Sequence, residues 1–246
     1  MSESWIIGIN AVGEALEHDA RNVSEVWIEQ RAKNPRLAEI ASAAKAAGVK
    51  VQYVAPDAIG RAAGGGKHQG VVAQIAPARN LGEGDLDELL GRVEKPLLLV
   101  LDGVQDPHNL GACLRSAEAA GVHAVIVPRD RAVGITPVVR KVSSGAADRV
   151  PLMRVTNLAR TMKTIQEAGV WIVGLAGEAE QSLYEVDMRG PIAIAMGGEG
   201  EGLRRLSREH CDYLAKIPMQ GRVESLNVSV ATGVAVFEAL RQRQVG

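Results

Sequence analysis

Three apolar stretches decide the fold: residues 96–104 read PLLLVLDGV, residues 123–128 read HAVIVP, and residues 191–198 read PIAIAMGG. Each is a continuous apolar run and not an alternation of apolar and polar residues. Strands of this kind are typical of a parallel sheet that is buried on both faces. Two similar runs, VWIVGLAG and YLAKIPM, begin at residues 170 and 213. The sequence therefore predicts a parallel sheet within residues 95–246.

Helical patterns separate these strands. Apolar residues recur at helical spacing in residues 110–121, 156–169, 203–210 and 225–243. Regular alternation of strands and helices indicates an α/β domain. Because knotted chains are nearly absent among proteins, the pattern by itself favours an ordinary doubly wound fold.

A second, smaller α/β unit precedes this domain. Residues 1–77 contain three predicted strands (24–30, 49–56 and 71–77), two predicted helices (34–48 and 56–63) and the loop GGGKHQG at 64–70. Residues 78–94 are acidic and rich in glycine, which predicts a linker with about one helical turn. We therefore expect two domains, 1–77 and 95–246, joined by the linker 78–94.

Composition excludes several classes of protein. The chain has 246 residues with 28 basic and 29 acidic side chains, and its apolar content of 46% is that of an ordinary globular protein. Two cysteines are too few for a disulfide scaffold. The N-terminus lacks the basic and long apolar regions of a signal peptide, and no run is long enough for a membrane span. We expect a cytoplasmic protein without membrane contact.

The charge and the aromatic content limit how the chain can bind RNA. The net charge is −1 and only seven residues are aromatic. A sheet that stacks bases on aromatic rings is therefore excluded, and RNA binding would require local basic patches.

The common nucleotide-binding and hydrolytic motifs are missing from the sequence. The glycines around residue 200 do not have G-x-G-x-x-G spacing, and the loop GGGKHQG is not a Walker A motif. No H-x-x-x-H pair and no G-x-S-x-G elbow occur. These observations argue against a dehydrogenase, a P-loop NTPase, a zinc peptidase and an α/β-hydrolase. We expect no metal.

Three polar segments remain, each directly after a predicted strand, where parallel α/β sheets bind ligands. The first, DPHNLGACLRS at 106–116, contains Asn109 and Arg115. Asn109 is either a helix cap or a site residue. Arg115 lies in an otherwise packable helix, which favours a buried guanidinium with an anionic partner over a surface arginine.

The second and third segments are rich in glycine and small residues. The second, AMGGEGEGL at 195–203, has four glycines, which is more than one turn needs. Of its two carboxylates, Glu199 and Glu201, Glu199 is the better candidate for a functional role. The third, IPMQGRVESLNVSVA at 217–231, contains Ser225 and Asn227. Ser225 alone can be a helix cap, whereas the whole group indicates a binding loop.

In this order, N-x-x-x-x-x-R, G-G-E-G-E-G-L and I-P-M-x-G-x-V-x-S-L-N-V-S-V-A resemble the three motifs of the SpoU/TrmH branch of the SPOUT methyltransferases. The stretches GINAVGEALE and HQGVVAQ resemble the small L30e-like substrate-binding domain of the same family. The resemblance implies a deep trefoil knot in the C-terminal SPOUT domain, a homodimer, and S-adenosylmethionine held by the knot loops. It assigns cofactor binding to Gly197, Gly198, Ile217 and Leu226, and chemistry to Asn109, Arg115, Glu199, Ser225 and Asn227.

The reaction that the resemblance implies is methylation of the 2′-hydroxyl of a guanosine in the peptidyl-transferase region of 23S rRNA. A tRNA methyltransferase of the same family and a non-catalytic ribosome-assembly protein are the alternatives. Arg115 is either the general base or a clamp for an RNA phosphate, and its high pKa makes it a poor base. We expect the basic residues after the strand HAVIVP to grip RNA phosphates, namely Arg129, Arg131, Arg140, Lys141 and Arg149.

Overall fold

The structure is a computed structural model that describes residues 4–20, 23–75, 81–198 and 200–245. The chain divides into two compact units, Met1–Arg79 and Asn80–Gly246. The predicted domain boundary at residue 77 lies outside the described residues.

The first unit is a four-stranded sheet covered by helices. Its strands are β1 (Ser4–Ile7), β2 (Val23–Glu29), β3 (Lys50–Val54) and β4 (Val71–Ile75), in the order β1-β4-β2-β3. Strand β4 runs antiparallel to both β1 and β2, whereas β2 and β3 are parallel. The helices are α1 (Ile9–Asp19), α2 (Pro35–Ala46) and α3 (Pro56–Ala62).

The second unit is built on a seven-stranded sheet whose neighbouring strands are all parallel. The spatial order is β7-β6-β5-β10-β8-β11-β9. The strands are β5 (Leu97–Asp102), β6 (Ala124–Pro128), β7 (Leu152–Val155), β8 (Trp171–Leu175), β9 (Gln181–Ser182), β10 (Ile192–Gly197) and β11 (Tyr213–Lys216).

Helices cover both faces of this sheet, as the continuous apolar strands predict. They are α4 (Glu83–Arg92), α5 (Pro107–Ala119), α6 (Pro137–Ser143), α7 (Ala146–Arg149), α8 (Leu158–Glu167), α9 (Arg205–Glu209) and α10 (Val228–Val245). A short 3-10 helix, Leu183–Glu185, follows β9.

The central strand β5 shows why its sequence is apolar throughout. Leu97, Leu99 and Leu101 point to one face, where they belong to the cluster that includes α5 and α10. Leu98 and Val100 point to the other face, toward α4 and α8. Because successive side chains of a strand alternate between faces, a strand covered on both sides must be apolar at every position.

The structure differs from the predicted elements in two ways. Residues 83–92 form a three-turn helix in the segment predicted as a linker, and its Leu86 and Leu89 are buried against the parallel sheet. The sequence predictions also omitted the helices α1, α6 and α7 and the short strands β1, β7 and β9. These strands have two to four residues each, too few for a periodic pattern to be recognised.

Helix α10 is fixed at its C-terminal end by a half-buried arginine, Arg243. The Arg243 guanidinium donates hydrogen bonds to the backbone carbonyls of Lys95, Pro96, Met188 and Gly190. These four carbonyls lie at the ends of segments that enter β5 and β10. The contacts therefore anchor the last helix to the amino-terminal edge of the sheet, and its beginning lies near the opposite edge.

Candidate methyl-donor and RNA site

The three predicted motifs lie at the carboxyl edge of the parallel sheet. Strand β5 ends at Asp102 and leads into α5, β10 ends at Gly197, and β11 ends at Lys216. Strands β5 and β10 are neighbours, and helix α10 packs against α5 and β10. The topology thus brings together the segments around residues 109, 198 and 227, as expected for the ligand-binding edge of an α/β sheet.

Asn109 lies in the first turn of α5 and is 7% exposed. It is not the N-cap, since Asp106 occupies that position and accepts a hydrogen bond from the backbone of His108. The Asn109 amide instead contacts Asp106, and its Oδ1 accepts a hydrogen bond from Asn227 at 3.1 Å. Asn227 in turn accepts hydrogen bonds from the backbone and hydroxyl of Ser229.

Arg115 lies on the same helix, but its side chain is exposed. The sequence favoured a buried guanidinium with an anionic partner. In the described part of the chain, Arg115 makes no ion pair, so that expectation is wrong for the single chain. The helix turns Arg115 outward because the inward positions of this stretch are Cys113, Leu114 and Ala117. An exposed cation on α5 is available to an external anion.

Gly197 and Gly198 are glycines because the backbone itself approaches them closely. A Cβ on Gly197 would lie 1.8 Å from the carbonyl carbon of Gly202, and a Cβ on Gly198 would lie 2.6 Å from the carbonyl oxygen of Gly103. Gly198→Val would therefore disturb the fold and not merely fill space needed by a ligand, since the valine side chain would collide with the protein backbone.

We call residues 198–203 the glycine loop; Glu199 within it lies outside the described residues. Gly200 and Gly202 have φ angles of +80° and +65°, which L side chains rarely adopt. A backbone bridge joins Gly198 and Gly202, and the Gly202 amide donates to the Gly198 carbonyl at 3.2 Å. The loop is therefore a tight reversal directly after β10.

A buried ion pair at this loop was missed by the sequence predictions. Asp102, the last residue of β5, is 1% exposed and accepts hydrogen bonds from the backbone and the guanidinium of Arg204. An aspartate that ends an otherwise apolar buried strand was the signal available in the sequence, because a buried carboxylate needs a partner.

The remaining predicted site residues lie between β11 and α10. Ile217 directly follows β11, is half-buried, and packs against the main core cluster. Leu226 is also half-buried, whereas Ser225 is exposed. Ser225 does not cap α10, because Asn227 directly precedes this helix and accepts the hydrogen bond from the Ser229 backbone.

The carboxyl edge has the features needed to hold S-adenosylmethionine. Positions where a Cβ would meet no atom within 4 Å occur at Gly103, Gly200, Gly202 and Gly221. A ligand can therefore approach the backbone of the β5, β10 and β11 loops directly. The half-buried Ile217 and Leu226 can add apolar contacts and backbone groups. The residues present thus fit an adenosine-containing ligand held mainly by main-chain groups.

Two of the predicted phosphate contacts are already paired. Arg140 forms an ion pair with Asp148, and Arg149 donates to Glu118 at 2.8 Å. These pairs join α6 to α7 and α7 to α5, so structural roles compete with phosphate binding at both arginines. Arg129, Arg131 and Lys141 are exposed.

The loop after β6 carries Arg129 and Arg131 and is hydrogen-bonded to the edge strand β7. Arg154 of β7 donates a hydrogen bond to the Arg129 carbonyl at 2.8 Å. Arg131 has a φ of +62°, a rare conformation for a residue with a side chain. The loop is therefore held in a defined conformation that presents two exposed cations.

Across the described residues, no cluster of three or more histidine, cysteine, aspartate or glutamate side chains could hold a metal ion. Among the helices in the described ranges, none is both long and apolar enough to cross a membrane.

Burial raises the pKa of the Cys113 thiol to about 11. This thiol contacts Thr232 of α10 at 3.5 Å and lies in the helix interface below Asn109.

Family comparisons match both units. The SpoU rRNA Methylase family matches residues 96–237, and the RNA 2′-O ribose methyltransferase substrate binding family matches residues 5–81. The 23S rRNA (guanosine-2′-O-)-methyltransferase RlmB of Xanthomonas campestris is 57% identical over 97% of this chain and 96% of its own length. The protein of the same name from Ralstonia nicotianae is also 57% identical, over 100% and 98%.

Solved structures agree with these matches. The SpoU methyltransferase AviRb from Streptomyces viridochromogenes, in complex with AdoMet, has a TM-score of 0.74 at 26% identity and covers 99% of this chain and 92% of its own. The TrmH/SpoU tRNA modifying enzyme of A. aeolicus has a TM-score of 0.56 at 30% identity, and covers 66% of this chain and 84% of its own. From the family match over residues 96–237 and the near full-length identity, the chain belongs to the SpoU rRNA methylase family.

Proposed function

We propose that this protein methylates the 2′-hydroxyl of a guanosine in the peptidyl-transferase region of 23S rRNA, with S-adenosylmethionine as the methyl donor. The observation that carries the proposal is the meeting of Asn109, the glycine loop and Asn227 at one edge of the sheet. The names of the relatives that share more than half of the sequence support the same reaction.

The two-unit architecture favours rRNA over tRNA as the substrate. The AdoMet-bound rRNA methyltransferase from Sinorhizobium meliloti, with a TM-score of 0.74 at 26% identity, aligns with 97% of this chain, whereas the tRNA-modifying enzyme aligns with 66%. The substrate-binding family matches residues 5–81, which is about as large a share of the chain as the part that the tRNA-modifying enzyme leaves uncovered. We assign this unit, residues 1–77, to rRNA binding and residues 95–246 to catalysis.

S-adenosylmethionine supplies an electrophilic methyl group when bound. The backbone of Gly197, Gly198, Ile217 and Leu226 would hold it beside the sheet edge, so the ribose hydroxyl must approach from the solvent side. The exposed Arg115 guanidinium would clamp an RNA phosphate and stabilise the developing alkoxide. We assign it this role and not that of a base, because a guanidinium stays protonated near neutral pH.

The Asn109 and Asn227 pair would orient the reacting groups. Its amide and carbonyl groups are fixed by Asp106 and Ser229, so they require no reorganisation during the reaction. Glu199 of the second motif and Ser225 of the third motif complete our proposed catalytic set. Positioning of this kind can supply much of the rate of a transfer reaction.

The decisive experiment uses 23S rRNA and tRNA from cells that lack the gene. The purified protein and isotopically labelled S-adenosylmethionine are added to each RNA, and ribose methylation is mapped at nucleotide resolution. We expect one methylated guanosine in 23S rRNA and none in tRNA. Methylation of tRNA alone would show that the protein is a tRNA methyltransferase of the same family. Methylation of neither RNA would favour a non-catalytic role in ribosome assembly.

We further propose a cytoplasmic homodimer whose catalytic domain carries the trefoil knot. Val230 and Phe237 lie on α10 seven residues apart and are 52% and 47% exposed. Two such apolar side chains on one helix face are suited to burial against a second copy. Light scattering at micromolar concentration should give a dimer, and Phe237→Glu should shift it toward the monomer, with Gln244→Glu as the matched control.

A further inference from the structure

We propose that Asp102 and Arg204 are positioning residues that hold the glycine loop in the conformation that binds the methyl donor. This inference rests on the proposed function, because it assigns a role toward the same ligand. Neither residue belongs to the set predicted from the motifs, and neither needs to contact the reacting atoms.

Asp102 accepts hydrogen bonds from both ends of the glycine loop. Its backbone carbonyl accepts a hydrogen bond from the Gly198 amide at 2.9 Å, where the loop begins. Its carboxylate accepts from the backbone amide of Arg204 at 3.2 Å, where the loop has ended. The Arg204 guanidinium forms an ion pair with the same carboxylate. The two ends of the loop are thus joined through one residue of β5.

The burial of the pair makes this connection strong. The Asp102 side chain is fully buried and that of Arg204 is 35% exposed. Hydrogen bonds between charged groups are about twice as strong as neutral ones, and a buried carboxylate without its cation is costly. Opening the loop at Arg204 would leave this carboxylate uncompensated, so the closed loop is strongly favoured.

The loop has little freedom to absorb a loss of this anchor. Gly197 and Gly202 approach so closely that no side chain fits between them, and Gly198 lies against the Gly103 carbonyl. Small shifts at Arg204 must therefore move the backbone that borders the open space at Gly200 and Gly202. That backbone is where we expect the methyl donor to bind.

The effect on affinity follows from the population of the closed loop. If only a fraction of molecules has the loop closed, the apparent dissociation constant rises by the reciprocal of that fraction. Loss of a charge-assisted anchor can reduce the population about tenfold. Amide hydrogen exchange at Gly198, Gly202 and Arg204 reports the same opening without any ligand or RNA present.

The experiment compares four variants of the full-length protein by calorimetry with S-adenosylmethionine, amide exchange and thermal unfolding. Asp102→Asn and Arg204→Gln each remove one charge of the pair, and Arg204→Lys keeps the charge but not the planar donor. Arg205→Gln is the matched control, since this neighbouring arginine pairs with Glu209 on the exposed side of α9.

We expect Asp102→Asn and Arg204→Gln to raise the dissociation constant about tenfold and to remove amide protection at Gly198, Gly202 and Arg204. Arg204→Lys should be intermediate, and Arg205→Gln should match wild type. The double variant Asp102→Asn/Arg204→Gln removes the uncompensated charge, so it should recover thermal stability relative to Arg204→Gln but not affinity. This combination separates positioning from a merely structural role.

The proposal is overturned if the double variant recovers affinity together with stability, or if affinity is unchanged in Arg204→Gln. Should Asp102→Asn fail to fold, the Arg204 variants decide the question, because their side chain reaches solvent. Wild-type protein is measured in the same series. Failure of wild type to bind S-adenosylmethionine would contradict the proposed function itself, and is therefore distinguishable from failure of the loop proposal.

Discussion

The Asn227 amide donates a hydrogen bond to Asn109 Oδ1 at 3.1 Å and so joins two residues 118 positions apart in the chain. Asn109 lies in the first turn of α5, the helix that follows β5, and Asn227 precedes the first residue of α10. The bond therefore fixes the loop between β11 and α10 against the first turn of α5. Two of the three motifs meet through this contact.

We expect Asn227→Ala to lower the single-turnover methylation rate about 100-fold, since small misplacements of reacting groups can have this effect. The free energy of unfolding should fall by only about 1 kcal/mol, the usual cost of removing an N-cap, because Asn227 precedes α10 and accepts a hydrogen bond from the Ser229 backbone. Ser229→Ala is the control: it removes one hydrogen bond to Asn227 but leaves the contact with Asn109. Equal rates for Asn227→Ala and wild type would exclude the asparagine pair from the mechanism.

The fold and the location of the site could be predicted because they depend on local pattern. The apolar runs of β5, β6 and β10 determine a buried parallel sheet, and the edge of such a sheet determines where loops collect ligands. The sequence of residues 78–94 indicates a linker because its three glycines and five acidic residues hide the apolar stripe of helix α4, which includes Leu86 and Leu89.

What could not be predicted depends on which neighbour a side chain meets. The Asp102 and Arg204 pair joins positions 102 residues apart, and no local pattern links them. The exposure of Arg115 depends on the rotation of α5 against α10, which sequence spacing alone does not determine. The glycines at 197 and 198 indicated close approach correctly, but the approaching atoms belong to the protein backbone.

Arg115→Ala tests the clamp. Because the guanidinium is exposed and has no ion pair within the described ranges, its removal should leave the unfolding temperature and the affinity for S-adenosylmethionine nearly unchanged. The methylation rate at saturating RNA should fall by orders of magnitude, since a charge at the reacting centre acts mainly in the transition state. Wild-type rates for Arg115→Ala would remove it from the catalytic set.

Arg131 and Arg140 should respond differently to replacement by alanine. Arg131 is exposed on the loop after β6, so Arg131→Ala should weaken RNA binding and reduce the slope of log affinity against log salt by about 1. Arg140 pairs with Asp148 at partial exposure, so Arg140→Ala should lower the free energy of unfolding by about 1 kcal/mol. Binding titrations at four salt concentrations and chemical denaturation measure both quantities.

The two outcomes are independent, which makes the comparison informative. An unchanged salt slope for Arg131→Ala would show that the loop after β6 does not contact phosphate. A reduced slope for Arg140→Ala at unchanged stability would restore Arg140 to the RNA-binding residues and show that its pair with Asp148 opens in the complex. Lys141→Ala, next to Arg140 and exposed, should resemble Arg131→Ala.

The Cys113 thiol provides a test of the α5 and α10 interface through pH. Burial raises its pKa from 9.0 to about 11. Above pH 9 the unfolded chain loses this proton while the folded chain keeps it, so the stability contributed by Cys113 is present below pH 9 and lost as the pH rises toward 11. Two pKa units correspond to about 2–3 kcal/mol.

We therefore expect the difference in unfolding free energy between wild type and Cys113→Ala to shrink by about this amount between pH 8 and pH 11. Denaturation under reducing conditions measures it, and lysines, tyrosines and Cys211 titrate equally in both proteins. A difference that stays constant over this range would show that the thiol reaches solvent, and that α5 and α10 are less tightly packed around Thr232 than the 3.5 Å contact indicates.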